Sequence, residues 1–472
     1  MNLRTLATRS LSCRPRPFLA AAIIPLALSL TAAAQQSNTG NDATLGQQTQ
    51  AETQATRQAA QDYEYEHPGG RSIEDLNMRG GYIKMPPYSE HVFGVKNPVT
   101  YNLAKHGIGL YDIDDDEFDY NTLNPPVPLA DQTYTGQRPT WKSSHYPALT
   151  WDLRQLGVKG GQFEIMGAIQ KISWNAGGPN AVQFGSMYYY QSLLKGRLEL
   201  KGGYIDNDFE YVGTAIGGQA SSGSLGVYAS LPFEVGMSYI PLTTPAFNTN
   251  IHWTKQIYTK IGFQRSMDPG GGVTGSARDT VGLRFRPHGD GLLTIYEGGY
   301  QHEADATHDQ MWIRGGYMYN TTHFTDLKTG GKSTNNMLGY LLADRELFKL
   351  DPAKPYRGIY AGFSAMDAPA EQNSYTQYYE ARAYVLGPFT SRPADEASIV
   401  ASHTAYSPYA KYNAINLGEN YWNSASSITG SYTYRVMRGW YMSPGLSYTN
   451  GPNIAPKQKS SLNLLIQASV FF

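Results

Sequence analysis

Apolar and polar residues alternate with a period of two in segment after segment, and beyond residue 34 the chain has no long apolar run. Successive strand side chains point to opposite faces, so this period means strands with one apolar face. "FEIMGAI" sets Phe163, Ile165 and Ile169 against Glu164, Met166 and Ala168. "GRLELKGGY" sets Leu198 and Leu200 against Arg197, Glu199 and Lys201, and "IYTKIGFQR" sets Ile257, Thr259, Ile261 and Phe263 against Tyr258, Lys260, Gly262 and Gln264. "TVGLRFRP" sets Val281, Leu283 and Phe285 against Gly282, Arg284 and Arg286, and "QYYEARAYVLG" sets Tyr379, Ala381, Ala383 and Val385 against Tyr378, Glu380, Arg382 and Tyr384. "YTYRVM", "WYMSPGLSY" and the last stretch, "SLNLLIQASVFF", continue the pattern, placing Arg435 on the polar face.

A soluble sandwich also alternates, but its polar face looks out to bulk water. A transmembrane barrel turns its apolar face to lipid and its polar face to a lumen, and closes the sheet so that no edge is exposed. Composition favours the barrel. Charged residues are 16% of the chain, below the roughly 25% usual for soluble domains, yet mean hydropathy stays negative at −0.43. Gly (49) and Tyr (36, against 16 Phe) fill the gap, as a surface half lipid-facing and half water-lined requires. Residues 148–472, at roughly twenty residues per strand and connection, predict an all-β, antiparallel transmembrane barrel of about 16 strands. A final apolar strand ending in Phe472 suits the closing strand of such a wall.

The start of the chain predicts export. Arg4, Arg9, Arg14 and Arg16 precede "FLAAAIIPLALSL" and the small residues of "TAAA", which reads as a signal peptide over residues 1–34. The remainder holds no cysteine, since Cys13 is the single one, and carries a small acidic excess, which argues against nucleic acid as a partner. Residues 35–62 read as a Gln-rich mobile arm. Residues 63–147 read as an irregular periplasmic or lumen segment with possible first strands.

Several segments resemble the carbohydrate-selective porins of the OprB type. "NLAKHGIGL" (102–110), "YYYQSLLKGRLELKGGYID" (188–206), "YLLADRELFKL", "YRGIYAGFSAMDAP", "YVLGPFTSRPADEASIVAS" (384–402) and "ENYWNSASSITGSYTYRVMRGWYMSPGLSYTNGPNIAP" follow one another in the family's order. The chain departs from the family at "YDIDDDEFDYNTLNPPVPLADQTY", and Arg345 follows Asp344 where an Asp-Gln pair is expected. The resemblance implies a sixteen-stranded channel of the bacterial outer membrane, monomer or homotrimer among outer-membrane lipid, passing carbohydrate solutes by facilitated diffusion.

A sugar channel needs donors and acceptors around a wet constriction, and weak distributed binding. Arg197, Glu199, Lys201, Arg284, Arg286, Glu380, Arg382 and Arg435 lie on the predicted inward face as pore-lining candidates, with Trp174 and Trp422 as candidates for stacking on sugar rings. "DIDDDEFD" (112–119) has Glu117 where a calcium loop needs Gly and reads as a solvated acidic loop. "HEADATH" (302–308) has the wrong spacing for a helical zinc-protease pair, and "TGGKS" lacks the earlier Gly of a phosphate loop. No catalytic residue, metal or cofactor is expected. The alternative is a barrel-embedded or exported hydrolase acting on lipid or glycan.

Overall fold

The computed structural model describes residue 92 and residues 97–212, 230–286, 290–305 and 307–472. The signal peptide and Gln-rich arm expected at residues 1–62 lie outside the described residues.

The short helix Pro98–Lys105 starts on Asn97, whose side chain accepts the N–H groups of Val99 and Thr100, with Pro98 in the first turn. Eighteen strand segments follow: β1 Ile108–Tyr111, β2 Ile113–Asn121, β3 Thr140–His145, β4 Ala148–Asp152, β5 Gly161–Ile172, β6 Ala181–Leu193, β7 Leu198–Ile205, β8 Thr244–His252 and β9 Ile257–Arg265. The second half contains β10 Leu292–His302, β11 Met311–Asn320, β12 Asn336–Lys349, β13 Gly358–Asp367, β14 Tyr375–Leu386, β15 Glu396–Tyr406, β16 Ser424–Met437, β17 Trp440–Asn450 and β18 Ser461–Phe471.

From β5 onward each strand pairs antiparallel with the next, and β18 pairs with β2 through Ile466↔Phe118 and its neighbours, so the sheet closes. The segments β1 and β2 are two halves of one stave, broken at Asp112. The segments β3 and β4 are likewise one stave, both pairing with β5 and broken where Pro147 supplies no N–H. The wall therefore has sixteen staves, the number expected. At the seam the Phe472 N–H donates to the Asp112 carbonyl at 2.9 Å.

The wall begins at Ile108, earlier than the residue 148 expected from the sequence. "DIDDDEFD" is no solvated loop but part of β2, a correction that its parity explains. Asp115, Glu117 and Asp119 share the face of Gln467 and Leu465 on β18, while Asp114, Asp116, Phe118 and Tyr120 face outward. The outward Asp114 is paired with His145 of β3 at 2.5 Å. "TVGLRFRP" is also corrected. Only the strands on either side of it, β9 and β10, pair with each other, and residues 279–286 belong to the long connection between them.

Connections at one end are short, for example residues 194–197, 253–256 and 438–439; at the other they run to residues 206–243 and 266–291. The burial pattern repeats with period two along β9, β14 and β17, as the sequence requires. Among the described residues no helix is long and apolar enough to cross a membrane, so crossing falls to the strands.

Candidate functional site

The inward face divides into two halves of different chemistry. From β5 to β14 five carboxylates on the inward rows are held by tyrosine hydroxyls. Glu164 accepts from Tyr111 at 3.2 Å, Tyr188 at 2.7 Å and Ser186 at 2.8 Å. Glu297 accepts from Tyr258 at 3.0 Å and Tyr340 at 2.8 Å, with Lys260 at 3.6 Å and Arg314 at 3.9 Å. Asp344 accepts from Tyr384 at 3.1 Å, Glu199 from Tyr190 at 2.7 Å, and Glu380 from Tyr378. A buried carboxylate needs such partners, because an uncompensated one loses its hydration without return.

Local backbone makes room for these pairs. Tyr258 lies over Gly299 and Tyr340 over Gly316 on the next strand, where an added methyl would meet ring atoms at 2.4 Å and 2.3 Å. Gly362 of β13 sits between Asp344 of β12 and Arg382 of β14, and the guanidinium reaches the carboxylate with a two-pronged fork across it. The same guanidinium donates to Ser364 at 2.9 Å and to Glu380.

The other half, β15 to β18, is lined mainly by hydroxyls and amides. Ser398 bonds Ser431, Ser402 bonds Ser427, Thr429 bonds Ser447 and Thr433 bonds Ser443, each across one strand pair at 2.6–3.0 Å. Asn463 and Gln467 continue this lining on β18.

The described parts of the connection between β7 and β8, residues 206–212 and 230–243, fold into the lumen. On the β7 side Lys201 pairs with Glu210, Lys260 donates to the Glu210 carbonyl at 2.7 Å, and Asn207 bonds Gln264 and Asn248. On the β14 side Asn320 donates to the Val235 carbonyl at 2.6 Å, and the Tyr375 N–H donates to Glu234 at 3.0 Å. These ties run from β7, the fifth of sixteen staves, to β14, the twelfth, so the described parts of the connection cover the inward rows of that half of the wall. Their apolar residues Tyr211, Leu231, Val235 and Met237 pack on inward Leu293, Ile295, Met318, Leu338 and Leu342. These inward apolar rows interrupt an otherwise polar face and mark where the connection lies.

The predicted lining residues separate. Glu199, Lys201, Glu380, Arg382 and Arg435 are on inward rows. Lys201 is shut between Glu210 and the Tyr188 ring, 4.0 Å from its centroid. Arg382 and Glu380 are closed into their ion network, with side chains 1% and 3% exposed. Arg435 sits two residues from the short β16–β17 turn. Three candidates leave the inward face: Arg197 is exposed in the turn before β7, and Arg284 and Arg286 are exposed in the β9–β10 connection. Trp174 caps a short turn at the long-loop end, and Trp422 donates its indole N–H to Gln458 at 2.8 Å beneath Lys457. Neither stands on a lumen-facing strand.

Sequence reasoning missed Glu117, Lys142 and His252, which form two inward pairs, the second with the predicted Glu199, that keep contact with solvent. Glu117 of β2 bonds Lys142 of β3 at 2.7 Å, with side chains 28% and 29% exposed. His252 of β8 lies 3.1 Å from Glu199, which also accepts from Asn250 at 2.9 Å. The parity of β2 carried the first signal, hidden by reading the acidic run as a loop.

A sequence profile described as carbohydrate-selective porin, OprB family, matches residues 152–459. The high-pH structure of Pseudomonas putida OprB is similar to this chain with a TM-score of 0.67 at 14% identity, covering 81% of this chain and 98% of that one. The low-pH structure of the same protein gives a TM-score of 0.51 at 12% identity over the same shares. No curated protein matches the sequence.

Proposed function

Because the chain belongs to the OprB family of carbohydrate-selective porins of the bacterial outer membrane, we propose that monosaccharides and short oligosaccharides pass down their gradient beside the β7–β8 connection, touching Glu117, Lys142, Glu199 and His252. The observation that carries this reading is that the described parts of the connection fold inward between β7 and β14, which narrows the bore. With short turns periplasmic and long loops extracellular, the β7–β8 connection enters from the outside and reaches inward to Lys201 and Lys260, while Glu199 and His252 stand at the periplasmic ends of β7 and β8.

A sugar hydroxyl both donates and accepts, so it exchanges bonds with a carboxylate–ammonium pair as it gives up water. The paired charges cancel at a distance and select no ion. The serine and threonine rows of β15–β17 offer neutral partners along the rest of the path, which keeps binding weak and multi-site. The buried Arg382–Asp344–Glu380 network shapes the wall, and solute contact falls to the half-open pairs.

Liposome swelling tests this. The purified chain should admit glucose and a disaccharide faster than a neutral amino acid of glucose size. Glu117→Gln combined with Lys142→Met should cut the sugar advantage about twofold to fivefold, the effect of losing about 0.5–1 kcal/mol of hydrogen bonding. The pair is partly exposed and adds little to folding. Equal entry of all three solutes into wild-type vesicles would overturn sugar selectivity.

A further inference from the structure

The turn joining β10 to β11, on the periplasmic side by the same convention, has no part in the solute path. His302 is the last residue of β10 and Asp305 and His308 lie in the turn; one nitrogen or oxygen from each falls within 4.8 Å of the others. The Asp305 N–H donates to the His308 carbonyl at 3.1 Å, which folds the chain back and returns His308 beside His302, ring centroids 4.9 Å apart. Spacing that fails for a helix succeeds here because a turn brings the two histidines together.

The donors are set up unequally. Asp305 Oδ1 accepts the N–H groups of Thr307 and His308 and the Thr307 hydroxyl, which fixes the carboxylate in place. Its Oδ2 meets only His308 Nδ1, at 3.0 Å. His302 Nδ1 is buried and has no hydrogen-bond partner. A buried ring nitrogen left open this way costs stability unless something occupies it. The side chains of His308 and Asp305 are 62% and 54% exposed, so an ion can enter from water. The nearby Lys349 ammonium is engaged by Asp309 at 3.2 Å and Glu346 at 3.4 Å, which offsets its charge.

We propose that this turn binds one divalent transition-metal ion of the Zn2+ class through His302, Asp305 and His308. Two imidazoles and a carboxylate suit Zn2+ and its neighbours, whereas Ca2+ and Mg2+ ask for all-oxygen shells. Ligands at about 2.0–2.1 Å from one ion stand about 3.4 Å apart in a tetrahedron. Side-chain rotation in an exposed turn closes that gap. The remaining coordination position is left to water, and the ion pins the end of β10 to the start of β11.

The test uses the full chain in detergent, stripped with a chelator and titrated with Zn2+ by calorimetry and with Co2+ by visible absorption. One ion per chain is expected, with a Co2+ ligand-field band of low-coordinate intensity. His302→Ala and His308→Ala should each weaken binding at least about tenfold, and Asp305→Asn, which keeps the acceptor of the turn, by about tenfold. His403→Ala, on another part of the wall, should leave it unchanged. Retained heat-resistant migration of each variant on gels shows that the barrel is intact. Absence of binding by wild type, or binding that survives both histidine variants, would overturn the site.

Discussion

At the scale of single residues, the abundance of tyrosine has a use that composition did not suggest. Amphipathic rings suit interfaces and sugar surfaces, but Tyr111, Tyr188, Tyr258, Tyr340, Tyr378 and Tyr384 each donate a hydroxyl hydrogen to an inward carboxylate. Phenylalanine would fill the same volume and leave the acid unpartnered. Glycines complete the fit. Gly362→Ala would drive a methyl to 2.3 Å from Asp344 and 2.4 Å from Arg382, so the fork must open. We expect a loss of about 1–3 kcal/mol, the range for overpacking, measured by urea unfolding of the lipid-embedded barrel. Gly339→Ala, where the methyl meets open space, should be neutral in the same assay.

At the scale of elements, the β7–β8 connection sets the width of the proposed path, and a titrating group helps hold it. Burial pushes the Glu234 carboxyl up to about 7, against the opposing effect of the Tyr375 N–H. A carboxyl raised in the folded state keeps its proton there at pH values where the released connection would lose it. Its stabilising effect is complete below the ordinary glutamate range and is lost as pH rises through about 7. The connection should therefore loosen in alkali. Open-channel current noise in planar bilayers should rise between about pH 5 and about pH 8.5, and Glu234→Gln, which stays neutral and keeps an acceptor for Tyr375, should flatten that rise. Noise independent of pH in the wild type would contradict this role.

At the scale of the whole molecule, closure takes the place of the disulfides that many exported chains use. The strand β18 pairs on both sides, with β17 and with β2. Ending the chain after Asn450 would expose two edges at once, and open edges are not tolerated in hydrocarbon. Such a chain should give no heat-resistant band on unheated gels after refolding into lipid, whereas the full chain should give one. A resistant band from the shortened chain would show that β17 can close on β2 alone.

The barrel, its stave number and the inward rows of β5, β7, β9, β14, β16 and β17 are legible in the residue pattern, because period two is a local property of strand geometry and lipid demands an apolar outer face. The pattern also placed Glu199, Lys201, Glu380 and Arg382 on inward rows. Parity failed where a segment had the pattern but forms no strand ladder, as with Arg284 and Arg286, and went unread where an acidic run concealed β2. Which inward charges remain open to solvent follows from contacts distant in the chain. Arg382 is closed by Asp344, which lies two strands away, and Lys201 by Glu210 from a connection folded back through the lumen. Those partners meet through ring closure and long-range packing. No local spacing encodes them, nor the meeting of His302 with His308 across a turn.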